Sequence, residues 1–178
     1  MVELFVFLFI ALGVSFLCSI LESTLMSTPI SYITMLEEEG RPYAAKLKRF
    51  KQDSSRPLAA ILSLNTIANT IGAAGVGRQA TLIFGSTWFG IISAIVTLLI
   101  LVFSEIIPKT IGTTYWKSLM GFTAGTIRLL IVVMYPFVKF IEWISKLFPQ
   151  NDEAAVSREE VIAMATVGEE EGVIEQDE

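Results

Sequence analysis

Residues 104 to 110, Ser104-Glu105-Ile106-Ile107-Pro108-Lys109-Thr110, place a carboxylate and a proline at the end of an apolar run that begins near Trp88 and holds no charge from 91 to 103. An ionisable side chain carried that far along a bilayer-length helix is costly and is usually retained for function. Pro108 lacks an N–H and clashes with the carbonyl four residues back, so nearby backbone oxygens are left to accept a cation or a donor. Two other apolar stretches carry side-chain oxygen at regular spacing. Ser15, Ser19 and Ser23 recur every four residues with Glu22 adjacent, and Asn65 and Asn69 repeat the interval, so each set lies on one helix face. Counted from the predicted inner ends of their helices, Ser19, Ser23, Asn65, Asn69 and Glu105 reach a similar depth. Carboxylate, amide, hydroxyl and carbonyl oxygens together suit Mg²⁺ or Ca²⁺, and a compact near-octahedral set at about 2.0–2.1 Å favours Mg²⁺.

Each residue also has a plainer reading. A transmembrane serine commonly bonds its own i−4 carbonyl, and a transmembrane asparagine commonly bridges helices. Glu105 can pair with Lys109 one turn later or with Lys117, and Glu22 can stand behind the ligands or meet Arg41 or Lys46. The coincidence of several oxygen-bearing faces at one depth is what raises ion binding above these. Other chemistry is removed by composition. The 178 residues contain no histidine and one cysteine, Cys18, which lies inside an apolar run. Imidazole catalysis, thiol clusters and a disulfide framework are therefore excluded. The clustered carboxylates of the C-terminal tail have no nucleophile and base beside them, so an enzyme is not expected. Neither is a nucleic-acid partner.

The elements that must position these residues are apolar helices. With 53% hydrophobic residues and a mean hydropathy of +0.62, the chain reads as an all-α integral membrane protein. Spans are predicted at about 4–26, 58–83 and 88–107, within a membrane domain over 1–150. The start carries Glu3 and no Lys or Arg, which argues against a cleaved signal peptide. Between the first two spans, 29–56 turns polar, is bounded by Pro29 and Pro57 and is interrupted by Gly40-Arg41-Pro42, predicting a hairpin of two short helices. Arg41, Lys46, Lys48, Arg49, Lys51 and Arg56 make it the most basic stretch, which places it in the cytoplasm, in contact with anionic lipid headgroups, and the N-terminus outside. Ala68, Gly72, Ala73 and Gly77 supply small residues four apart for a packing or dimer face. The stretch 117–148 is apolar but holds Arg128, Pro136, Lys139, Glu142 and Lys146, which favours a juxtamembrane belt of interfacial helices over a fourth span. Residues 151–178 carry ten acids and one base and predict a cytoplasmic helix opening at a Ser157/Glu160 capping box.

Three segments together resemble a known family. Ser19-Ile20-Leu21-Glu22-Ser23-Thr24-Leu25-Met26-Ser27, Asn65-Thr66-Ile67-Ala68-Asn69 and Ser104-Glu105-Ile106-Ile107-Pro108-Lys109-Thr110 are similar to the transmembrane domain of the cyclin-M and CorB/CorC magnesium transporters. Glu169-Glu170-Glu171-Gly172-Val173-Ile174 resembles the linker into that family's paired CBS domains, which this chain would truncate. The resemblance implies a plasma-membrane homodimer, three spans per subunit, that holds a dehydrated Mg²⁺ in an inward-facing cavity and exports it, in exchange for Na⁺. It implies ligands at Ser19, Ser23, Asn69 and Glu105, a carbonyl after the proline break at Pro108-Lys109, for which Gly112 is the candidate, and Asn65 as a further amide. Glu22 and Ser15 would stand behind these or serve the coupling ion. Two departures, Ser19-Ile20-Leu21-Glu22-Ser23 for the usual S-x-S-E-T and Asn65-Thr66 for an adjacent Asn pair, touch the Na⁺ ligands more than the Mg²⁺ ligands. ATP is expected to act only through a CBS pair absent from this chain. A membrane Mg²⁺ sensor or scaffold that moves no ion is the competing expectation.

Overall fold

Long apolar segments with few internal breakers become long helices, and the breaks fall where Gly and Pro stand. A computed structural model of the chain describes residues 1–145 and 147, and these are helical with short turns between. The predicted helix over 157–178, its Ser157/Glu160 cap, the linker Glu169–Ile174 and Lys146 lie outside the described residues. Helix α1, Val2–Ser27, is followed by the short α2, Ile30–Glu38, and α3, Ala44–Gln52. Between them Gly40 takes φ 75°, a region open to glycine, and Arg41 N–H closes the turn on the Leu36 carbonyl. Helix α4, Ser55–Phe84, admits Pro57 in its first turn, where its missing N–H has no intrahelical acceptor, and ends at Gly85 with φ 84°.

From Ser86 to Thr114 the chain is helical throughout: a 3₁₀ turn, α5 (Phe89–Leu99), a π-helical turn (Ile100–Ile106) and α6 (Ile107–Thr114). Pro108 was expected to break this helix, and it does not. The π turn widens the helix just before the proline, with Ile107 N–H donating to the Val102 carbonyl five residues back, and the chain resumes as α helix beyond it. Helices α7, Trp116–Val133, and α8, Tyr135–Ser145, follow.

Within the unit Met1–Trp143, α1 is the axis. It packs against α4, the π turn, α6 and α7. The apolar core gathers at its C-terminal half, where Leu21 and Leu25 meet Ile33 and Leu36 of α2, Leu47 of α3, Ile61 of α4 and Ile127 of α7. Lys51 of α3 caps the end of α1 by donating to the Leu25 and Met26 carbonyls at 3.2 and 2.7 Å. The small-residue positions serve packing inside the chain: a Cβ on Gly72 would fall on the Ala11 Cβ, and one on Gly77 would meet the Phe89 ring at 3.1 Å. Outward, Ile91, Ile95, Leu98 and Phe103 are exposed, as an apolar solvent requires. Among the described residues, four helical runs have the length and composition to cross a membrane: Val2–Ser27, Ser55–Phe84, Ser86–Thr114 and Trp116–Val133. The fourth is α7, which the composition assigned to a belt. At 18 residues it is about 27 Å long, the shortest of the four.

Candidate functional site

The helix packing turns two oxygen-bearing faces, the serines of α1 and the asparagines of α4, toward one carboxylate. Glu105 projects from the π turn, and its side chain keeps 24% of its exposure. Asn65 of α4 donates to its Oε1 at 3.1 Å, Ser15 Oγ of α1 lies 3.4 Å from the same atom, and Ser19 Oγ lies 3.3 Å from Oε2. Both serine hydroxyls make shorter bonds elsewhere: Ser15 donates to Asn65 Oδ1 at 2.6 Å and Ser19 to the Ser104 carbonyl at 2.6 Å. A hydroxyl has one proton, so with those protons engaged the lone pairs are what remain toward Glu105. Asn69 donates to Asn65 Oδ1 at 3.4 Å, while its own Oδ1 is buried with no donor. The centre is rich in acceptor oxygens and short of protons, and a positive charge is what such a set lacks.

One positive charge is already near. Lys109, one turn beyond Glu105, places Nζ 3.5 Å from Glu105 Oε2 and 3.6 Å from Glu22 Oε2 of α1. Glu22 therefore meets neither Arg41, which pairs with Glu39, nor Lys46. Its partner comes from the helix that carries Glu105. Lys117 is likewise directed elsewhere, over the rings of Tyr32 and Trp116. Glu22, Glu105 and Lys109 together carry one net negative charge; with the ammonium displaced, the two carboxylates would match a divalent cation. Among the described residues no three Cys, Asp or Glu side chains cluster, so neutral oxygens would supply the rest of any coordination shell.

Ser23, singled out by spacing, and Gly112, implied by the resemblance, stand apart from the carboxylate. Ser23 donates back to the Ser19 and Ile20 carbonyls of its own helix, at 2.7 and 3.1 Å. Gly112 of α6 is where that helix crosses α1: a Cβ there would fall on Ser23 Oγ and lie 3.0 Å from the Ile20 carbonyl oxygen. Its lack of a side chain has a packing reason. The carbonyl that Pro108 releases is Ser104's, four residues back, and it accepts from Ser19 across the helix interface. The proline offset points to that atom, whereas the carbonyl implied by the resemblance is that of Gly112.

Residues 5–178 match the family model described as the cyclin M transmembrane N-terminal domain. The chain belongs to that family. A UPF0053 protein of Synechocystis sp. is 37% identical over 179 residues, which is all of this chain and 52% of that protein. A UPF0053 protein of Haemophilus influenzae is 27% identical over 148 residues, 83% of this chain and 34% of its own length. A chloroplastic DUF21 domain-containing protein of Arabidopsis thaliana is 24% identical over 176 residues, 95% of this chain and 27% of its length. The chain thus spans about half or less of these relatives. As a cyclin M transmembrane domain it is an integral membrane protein, and the Glu105 centre lies among its bilayer-length helices.

Proposed function

We propose that this cyclin M domain is the membrane part of a secondary magnesium transporter, with the Glu105 centre as the ion site. The observation that carries the reading is the excess of acceptor oxygens around Glu105, above all the orphaned Asn69 Oδ1. Glu105 supplies charge, Ser15 and Ser19 supply hydroxyl oxygens, Asn69 an amide oxygen and Ser104 a carbonyl, with Asn65 holding Ser15 and Glu105 in place. The oxygens so supplied are hard ligands, the kind that Mg²⁺ takes. Arriving Mg²⁺ displaces Lys109 from Glu105, so the ammonium acts as a built-in competitor that keeps the empty site from collapsing and keeps affinity low enough for release. The π turn and Pro108 give the carboxylate a segment of helix that can change register between cavity states.

In the same reading the domain works as a plasma-membrane homodimer with its N-terminus outside and its acidic tail in the cytoplasm, where a CBS pair of the longer protein would lie. It loads a dehydrated Mg²⁺ from an inward-facing cavity and exports it against Na⁺, without catalysing a covalent reaction. The test is Mg²⁺ flux in proteoliposomes of the full-length protein together with calorimetric binding. Wild type binds and moves the ion, and Glu105→Gln does neither. Unchanged affinity in Glu105→Gln removes the site assignment, and binding without flux leaves a sensor in place of a transporter.

A further inference from the structure

Besides the Glu105 centre, the chain gathers charge at a groove of 690 Å³ between α3, the start of α4 and α7. Lys46 and Arg49 come from α3, Arg56 from α4 and Arg128 from α7, with Asp53 the one carboxylate in the lining. Arg56 is already neutralised, at 2.6 Å from Glu142 and 3.8 Å from Asp53. Lys46, Arg49 and Arg128 have no carboxylate within ion-pair distance among the described residues, although they face one space. Arg128 is the sole charge between Lys117 and Lys139. A guanidinium in that position is retained at a cost unless an anion meets it. The rest of the lining includes the apolar side chains Phe50, Pro57, Ile131 and Val132, and on the same helix α7 Leu129 and Val133 are 61% and 56% exposed.

We propose that this groove binds the phosphate headgroup of an anionic phospholipid. The three unpaired cations converge on the phosphate, with the guanidinium forks of Arg49 and Arg128 suited to two of its oxygens. The acyl chains run along Ile131, Val132 and the exposed apolar side of α7. A soluble phosphate would use the cations and leave the apolar side chains bare, so the mixed lining selects the lipid. The site ties the basic hairpin to α7, helices more than 70 positions apart in the chain for Arg49 and Arg128. It does not depend on which ion the protein moves.

The experiment measures binding of short-chain phosphatidylglycerol and phosphatidylcholine to the full-length protein in neutral detergent, for wild type, Arg49→Gln, Arg128→Gln and Arg78→Gln. Arg78 is exposed on α4 outside the groove lining, so its substitution removes the same charge elsewhere. Wild type prefers phosphatidylglycerol, each groove substitution lowers that preference by about tenfold, and Arg78→Gln leaves it unchanged. Equal binding of the two lipids overturns the proposal, as does an equal loss in Arg78→Gln, which would mean net charge alone. Displacement of the lipid by millimolar inorganic phosphate would overturn it in favour of a soluble-anion site. Should Arg128→Gln fail to fold, Lys46→Gln on the exposed side of α3 takes its place.

Discussion

Glu105 and Arg128 each interrupt an apolar helix, and their surroundings are opposite. Glu105 is met from within by Asn65, Ser15, Ser19 and Lys109, so its environment is built by three elements of the fold. Arg128 has no ion-pair partner among the described residues and opens on a groove with two other unpaired cations. A charge answered internally can be exchanged: the fold holds the anion and one resident cation, and another cation can take the resident's place. A charge left unanswered needs a partner from outside, and at the edge of an apolar helix the abundant anion is a lipid. The first arrangement suits transit, the second anchoring.

Glu105→Gln should break the comparison most severely. It keeps size and hydrogen bonding but removes the negative charge, so Mg²⁺ affinity falls by at least about 100-fold and flux stops. Anionic-lipid binding at the Arg128 groove stays as in wild type, measured on the same preparation. Loss of both together would mean that the two regions are one coupled unit.

The two asparagines separate holding the site from binding in it. Asn69→Leu removes an oxygen that has no protein donor, so Mg²⁺ affinity should drop roughly tenfold while the thermal melting temperature holds or rises. Asn65→Leu removes the partner of both Ser15 and Glu105 and should cost about 1–3 kcal/mol of stability, seen as a lower melting temperature with or without Mg²⁺. If Asn69→Leu destabilised as Asn65→Leu does, the orphaned oxygen would be structural.

Lys109→Met tests the resident cation. Its side chain is 45% exposed, so screening tempers the effect, and Mg²⁺ affinity should rise by roughly two- to fivefold. Release should slow by a similar factor, visible as tighter binding with lower turnover in liposomes. Weaker Mg²⁺ binding in Lys109→Met would assign the ammonium to positioning Glu105.

Much of this centre was visible in residue types and intervals. Oxygen every four residues in α1 and α4, and a carboxylate three residues before a proline, mark helix faces and depth without any tertiary information, because helical periodicity alone sets both. The choice within each face was not visible. Ser15 lies at the carboxylate and Ser23 does not, since the crossing of α6 over α1 at Gly112 determines which turn of α1 faces the π turn. The continuation of the helix through Pro108 was also hidden: a proline signals a lost hydrogen bond, and whether the helix ends or widens depends on what packs around it. Lys109 reaching across to Glu22, and Arg128 joining Lys46 and Arg49, are contacts between distant segments that no local interval encodes.

The smallest expected effect lies at the rim of the groove, where Arg56 differs from its three neighbours in having an internal partner. Glu142 accepts from Lys139 at 3.1 Å and meets Arg56 at 2.6 Å, and the Lys139 hydrogen bond, then the Arg56 charge, hold its carboxyl below the ordinary value of 4.5 in spite of some desolvation. A carboxyl with a lowered folded value stabilises the fold fully above its unfolded value and loses that contribution as pH falls through the folded one. Wild type should therefore melt slightly above Glu142→Gln at neutral pH, with the gap narrowing once pH drops below about 4.5 and shrinking in high salt. A gap that stayed constant from neutral to acid pH would mean that Glu142 acts through packing, and Arg56 would then join Lys46, Arg49 and Arg128 as a cation without an effective internal counter-charge.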